Sequence, residues 1–230
     1  MLLKDKIIIV TGASEGIGKA LTKNLISKGA KVAMISRRQD EDFVKDHSGS
    51  AYAFKCDVTD KNQVRSTMAQ IAKEFGSIDG LINSAGIWLK TKPLEEVSLD
   101  EIETVLDANL KGLIYMTKEV LPYLKKNKES VLVNISSKSG TRPMDLQAVY
   151  CASKYGVKGF TDTLKLELKK SSVKIMGFYP SGINTKMFEK AGEGFPAETF
   201  MNADEIAEII TFAIERPGNI SIEEIQVEKY

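Results

Sequence analysis

Cysteine is scarce in this chain: Cys56 and Cys151 are two in 230 residues, which excludes a disulfide-stapled scaffold and points to a reducing compartment. Histidine is scarcer still. His47 stands alone, and one histidine with two distant cysteines lacks the spacing of a zinc site, so no metal is expected. Neither sign of charge is in excess, with 32 Lys and Arg against 31 Asp and Glu and a formal net charge of +1. Without a clustered basic surplus there is no long-range pull toward nucleic acid or anionic lipid. No apolar run is long enough to span a bilayer: the stretch Met1–Val10 stops at Thr11-Gly12 and carries no small-residue cleavage site. The expectation is a soluble cytoplasmic protein with neither nucleic acid nor membrane as a partner. The length fits one compact domain over residues 1–230.

What the chain does have is alternation. Short runs rich in β-branched residues, at Ile7–Val10, Val32–Ile35, Ala51–Phe54, Gly80–Ile82, Val131–Ile135, Lys174–Phe178 and Ile222–Val227, are separated by segments of helical period. That pattern predicts an α/β protein with a parallel sheet wrapped by helices. Ile17, Ala20, Leu21 and Leu25 follow the helical rule, and Gly29 supplies a left-handed stop. After Asp100, residues Ile102, Val105, Leu106, Leu110, Leu113, Ile114, Val120 and Leu121 predict one long helix broken only near Pro122. Asn109 falls inside its apolar stripe. Two more helices are predicted, from about Val149 to Lys170 and from Ala203 to Glu215. The crossover from Ser36 to Ser50 leaves room for only a short helix, so the adjacent end of any site should be open.

Gly12, Gly16 and Gly18 lie between the first strand and the first helix, together with Ser14, Glu15 and Ile17. There the chain must turn sharply and let a ligand approach, and the helix start offers free N–H groups to a pyrophosphate. The spacing is not the G-x-G-x-x-G of dinucleotide folds. Further on, Asn83-Ser-Ala-Gly86 ends the fourth strand, Asn134-Ile-Ser-Ser137 ends the fifth, and Tyr150-Cys-Ala-Ser-Lys154 opens a helix. With these four motifs in this order, the chain resembles the classical short-chain dehydrogenases/reductases over essentially its whole length. The resemblance implies a Rossmann-type doubly wound fold, a seven-stranded, mainly parallel sheet with helices on both faces.

Roles follow from the resemblance joined to residue chemistry. Tyr150 and Lys154 are four apart, so both side chains reach one ligand from one helix face. A phenol of ordinary pKa about 10 needs its anion favoured to exchange protons near neutrality, and a lysine beside it, aided by an oxidised nicotinamide, would do so. In the family, Lys154 would also bind the nicotinamide ribose. Ser137, thirteen residues before Tyr150, would hold the substrate carbonyl, and is preferred over Ser136 on that spacing. Asn109 has two readings. Either a neighbouring backbone satisfies its amide, or, as in the family, a local helix irregularity frees a carbonyl to hold a relay water for Lys154. The family set would be Ser137, Tyr150, Lys154 and Asn109.

For the cofactor, the resemblance adds Asp57 and Val58 after the third strand, Asn83, Ala85 and Gly86 after the fourth, and Pro180, Gly182, Ile183 and Thr185 after the sixth. Ser181 and Ser84 stand where the family usually has glycine and asparagine. At the end of the second strand an acid would bind the ribose of NAD, whereas this chain has Ser36, Arg37 and Arg38, which suit the 2′-phosphate of NADP(H). The other reading is that both arginines are ordinary surface charges, because Glu15 occupies a position basic in many NADP-dependent relatives. Asp40, Glu41 and Asp42 could also pair with them.

Trp88, Arg142, Met144, Leu146 and Gln147 flank the catalytic positions, and Met187, Phe188, Phe195, Phe200 and Met201 fall in the segment that covers the pocket in similar proteins. They suggest an apolar carbonyl or alcohol. The resulting expectation is an NADP(H)-dependent oxidoreductase interconverting ketone or aldehyde and alcohol, assembled as a homodimer or homotetramer through its two long helices. Its rivals are a non-catalytic redox-sensing regulator, an NAD-dependent alcohol dehydrogenase, and an extended-branch epimerase, for which the tail after Thr185 is short.

Overall fold

Five successive buried residues, Ile7–Thr11, make β1, and such unbroken burial marks a strand covered on both faces. The computed structural model describes the backbone of residues 1–230 and all side chains except that of Ala197. The other strands are β2 (Lys31–Ser36), β3 (Ala51–Lys55), β4 (Gly80–Asn83), β5 (Ser130–Ile135), β6 (Val173–Pro180) and β7 (Glu224–Val227). They form one sheet in the order β3-β2-β1-β4-β5-β6-β7. Every pairing is parallel, with Thr11 opposite Ile35 and Asn83 opposite Asn134. The chain runs outward from β1 to β3 and then returns to place β4 on the other side of β1. A crevice therefore opens at the carboxyl ends of β1 and β4.

The helices are α1 (Gly16–Ser27), α2 (Glu41–Asp46), α3 (Lys61–Phe75), α4 (Leu99–Leu106), α5 (Gly112–Leu124), α6 (Ala148–Glu167), α7 (Met187–Lys190) and α8 (Ala203–Ile214). Side chains alternate across the sheet and split the core in two. Ile8 and Val10 face Leu21 and Leu25 of α1 and Ile206 and Ile210 of α8. Ile9 faces Val64 and Met68 of α3, Met116 and Val120 of α5 and Leu164 of α6. The crossover helix α2 has six residues, as its short connection requires.

Two expectations need correction. The long helix is not broken at Pro122, which lies inside α5 in its last turn, where the missing N–H and the exposed Lys118 turn are tolerated. The irregularity comes earlier, as a π-helical turn over Asp107–Lys111 between α4 and α5, with Asn109 buried in it. Strand β7 begins at Glu224 rather than Ile222. A row of buried polar groups ties the sheet to its helices: Asn83 Nδ2 donates to Thr117 Oγ1 (3.1 Å) and Asn134 Oδ1 (2.9 Å), and Asn134 Nδ2 donates to Thr161 Oγ1 (2.9 Å). Among the described residues no helix is long and apolar enough to cross a membrane, and no group of three potential metal ligands occurs.

Candidate active site

The crevice is one continuous cleft of about 960 Å³. Its floor is the turn between β1 and α1. Gly12 has φ +67°, which an L side chain rarely adopts, and a Cβ on Gly18 would lie 2.3 Å from the Gly12 carbonyl oxygen. The turn is thus closed upon itself, with no room for side chains. Glu15 is the N-cap of α1, yet its side chain does not cap the helix, and the first-turn N–H groups stay uncapped by it. Thr11 fixes the neighbouring strand end, its Oγ1 accepting from the amides of Ser84 and Ala85 at 3.0 Å each.

At one end of the cleft stand Ser36, Arg37 and Arg38, with both arginines exposed. The three acids that follow do not neutralise them. Asp40 is taken by Lys19 at 2.6 Å and by capping the amide of Phe43, which hold its carboxyl below the ordinary range. The acid that does reach Arg38 is Glu15, at 3.9 Å, and Glu15 also pairs with Lys190 of α7. On the adjacent wall, Asp57 accepts from the amide and hydroxyl of Thr59, and Val58 packs beneath Gly112.

At the other end lie Tyr150 and Lys154, only 5% and 6% exposed. Burial pushes the Tyr150 phenol up to about 12, while the Ser137 hydroxyl, within hydrogen-bonding reach, pulls the other way. Burial also brings the Lys154 ammonium down to about 8. Its Nζ lies 5.7 Å from the Tyr150 ring centroid. The two candidate serines separate cleanly. Ser136 donates to the Lys154 carbonyl at 2.9 Å and joins α6 to β5, whereas Ser137 is oriented by the Ser139 amide at 3.1 Å and faces the phenol.

The first reading of Asn109 is the one its hydrogen bonds match. Its Oδ1 accepts from the Ile87 amide (2.7 Å), and its Nδ2 donates to the Ile87 carbonyl (3.0 Å) and to Ser153 Oγ (3.2 Å), so the amide is satisfied by a neighbouring backbone. It does so from within a helix irregularity. A Cβ on Gly86 would lie 3.0 Å from Asn109 Oδ1 and 3.6 Å from Lys154 Nζ, which explains glycine there.

The cleft is lined by Gly12, Ser14, Glu15, Gly16, Ile17, Gly18, Ser36, Arg37, Arg38, Asp57, Val58, Ala85, Gly86, Ser137, Tyr150, Lys154, Pro180, Gly182, Ile183 and Thr185, all expected from sequence. Asn83 and Asn109 are not on its surface: Asn83 turns inward to the polar row beneath the sheet ends. The loop carrying Ser181 leaves β6 with the Ser181 amide donating to Val227 at 2.9 Å, and Gly182 seats the Phe200 ring, which a Cβ would strike at 2.3 Å.

The covering segment, residues 186–201, begins and ends at one place, where the Asn184 amide donates to Met201 (2.9 Å) and the Met201 amide to Gly182 (3.1 Å). Its rings pack on the loop after β4: Phe188 lies 4.9 Å from Trp88 and 4.8 Å from Phe200. Sequence reading passed over Glu193, Lys138 and Glu228. Lys138 and Glu228 pair at the cleft edge beside Arg142, which reaches Glu228 at 3.4 Å. No local pattern marks such pairings between distant parts of the chain.

Comparison with known proteins finds relatives over nearly the whole chain. A family model described as short chain dehydrogenase matches residues 6–195. An uncharacterized oxidoreductase of Staphylococcus epidermidis is 30% identical over 227 residues, which cover 98% of this chain and 97% of the relative. Among solved structures, the closed form of serine dehydrogenase complexed with NADP+ has a TM-score of 0.89 at 26% identity, covering 97% of this chain and 96% of that one. The 3-ketoacyl-(acyl-carrier-protein) reductase from Brucella melitensis complexed with NADH has a TM-score of 0.90 at 25% identity, covering 98% and 97%.

Proposed function

The chain belongs to the short-chain dehydrogenase family and is an oxidoreductase, and from that premise we propose that it interconverts a ketone or aldehyde and the corresponding alcohol with NADP(H). The observation that carries this reading is the single cleft with buried Tyr150 and Lys154 at one end and exposed Arg37 and Arg38 at the other. The residues fit a dinucleotide. The self-closed glycine turn and the uncapped start of α1 suit a pyrophosphate, and Gly86 leaves open the space a Cβ would fill beside Asn109 and Lys154. Arg37 and Arg38 would hold a 2′-phosphate, Asp57 and Val58 the adenine, and Ile183 and Thr185 the carboxamide. Relatives in the comparison are described with NADP+ and with NADH.

A nicotinamide held there would supply the hydride. Ser137 holds and polarises the carbonyl oxygen, and Tyr150 gives it the proton. Lys154 as an ammonium favours the phenolate in the reverse direction, against the burial that otherwise keeps the phenol protonated. Asn109 supports the relay by holding the π turn, whose carbonyl is assigned a water leading to Lys154. Trp88, Met187, Phe188 and Phe200 suit an apolar substrate. The same reading takes residues 1–230 as one catalytic domain in the cytoplasm. It also includes a homodimer or homotetramer through α4–α5 and α6, where Leu99 and Leu166 are exposed.

Glu15 beside Arg38 favours a second reading, with NAD(H) as cofactor. Titration of nicotinamide fluorescence with NADPH and NADH separates them: NADPH should bind at least tenfold tighter, about 1.4 kcal/mol. Tighter NADH binding overturns the NADP(H) assignment.

A further inference from the structure

Trp88 is the chain's one tryptophan and lies across Tyr150, with ring centroids 4.4 Å apart and planes at 55°. Its other aromatic neighbours, Phe188 and Phe195, belong to the covering segment. Three rings thus pack on the indole, and its N–H still needs a polar partner. Glu193 is that partner. Its Oε1 accepts from Trp88 Nε1 at 3.3 Å and from the Thr91 amide at 2.6 Å, bridging 105 and 102 residues of chain. Gly192, with φ +75°, turns the backbone just before it, and the Glu193 amide donates back to Phe188 at 3.0 Å. One carboxylate oxygen thus joins the covering segment to the loop after β4 and sets the indole over the phenol. Bonds to a charged acceptor are the strong ones.

We propose that Glu193 is a positioning residue: it holds Trp88 across Tyr150 and fastens the covering segment over the substrate end of the cleft. The catalytic consequence rests on the function proposed above; the positioning itself does not.

The lone indole makes the test direct. In Glu193→Ala, Trp88 emission should move to the red and acrylamide should quench it faster, while NADPH affinity stays at the wild-type value and the thermal midpoint falls by no more than a few degrees. For a carbonyl compound that the wild type reduces, KM should rise about tenfold with a smaller change in kcat. Both donors use one oxygen, so Glu193→Gln keeps the acceptor and should restore emission and KM. Wild-type emission in Glu193→Ala overturns the proposal, as does a Glu193→Gln variant indistinguishable from Glu193→Ala. If no carbonyl compound is reduced with either nicotinamide, the functional reading fails, while the emission measurement still decides the role of Glu193.

Discussion

The two ends of the cleft treat charge in opposite ways. Tyr150 and Lys154 are buried, with only an edge on the cleft, and burial pushes both toward their neutral forms, the phenol up to about 12 and the ammonium down to about 8. Arg38 at the far end is 75% exposed, with Glu15 as a half-exposed neighbour. Proton exchange needs groups whose proton affinity the surroundings can move, and a dry site provides this. Phosphate recognition needs permanent charge, which arginine keeps even in water. Under the proposed function, the difference would let one cleft separate chemistry from cofactor choice.

Substitution at the dry end should have the largest effect. Tyr150→Phe removes the proposed proton donor and should lower kcat by about 10²–10⁴-fold while leaving the NADPH dissociation constant unchanged, as steady-state kinetics and fluorescence titration would read. Turnover near the wild-type level would break the contrast at its base.

Lys154→Met should also abolish turnover, and it separates catalysis from stability. Between pH 8 and 10.5 the unfolded chain holds a proton on Lys154 that the folded chain has released, so this residue makes stability rise with pH across that window. The penalty of burying the ammonium is fully present below pH 8. Tyr150 acts oppositely, with its share of stability lost as pH rises from 10 to about 12. Urea melts at pH 7 and pH 10 should show Lys154→Met to be more stable by about 3 kcal/mol at pH 7, since each tenfold fall in proton affinity on folding costs about 1.36 kcal/mol. Most of that gain should be gone at pH 10.

The wet end should respond more weakly and only toward one cofactor. Replacing Arg37 and Arg38 by alanine should weaken NADPH binding about ten- to a hundredfold and leave NADH binding unaltered. Glu15→Gln removes a competitor for Arg38 and should tighten NADPH binding about two- to fivefold at low salt, an effect that fades in about 1 M salt because the pair is exposed. Titrations at two ionic strengths check both.

Much of the fold was legible because strands buried on both faces read as unbroken apolar runs, and Tyr150 and Lys154 share a helix face by their spacing alone. Asn83 shows a limit of that reading. A motif places it at a strand end, but strand ends alternate direction, and its side chain turns to Thr117 and Asn134 rather than to the cleft. Asp40 shows another: its proximity to Arg38 in sequence says nothing of Lys19, which claims it from α1. Pro122 looked like a helix end because its cost in an exposed last turn is small and invisible to pattern. The bridge from Glu193 to Trp88 and Thr91 leaves no local trace, since it depends on how a segment folds back over a loop a hundred residues away.

The buried row Thr117–Asn83–Asn134–Thr161 has a consequence for mutational tolerance. It pins α5 and α6 to the sheet with bonds that cannot be exchanged for water, so any shift of the helix bearing Tyr150 leaves a dry polar group stranded. Residues 186–201 carry no such constraint, because rings, turns and a few side-chain bonds hold them at the surface. Substitutions in that rim should therefore be tolerated far better than substitutions in the row.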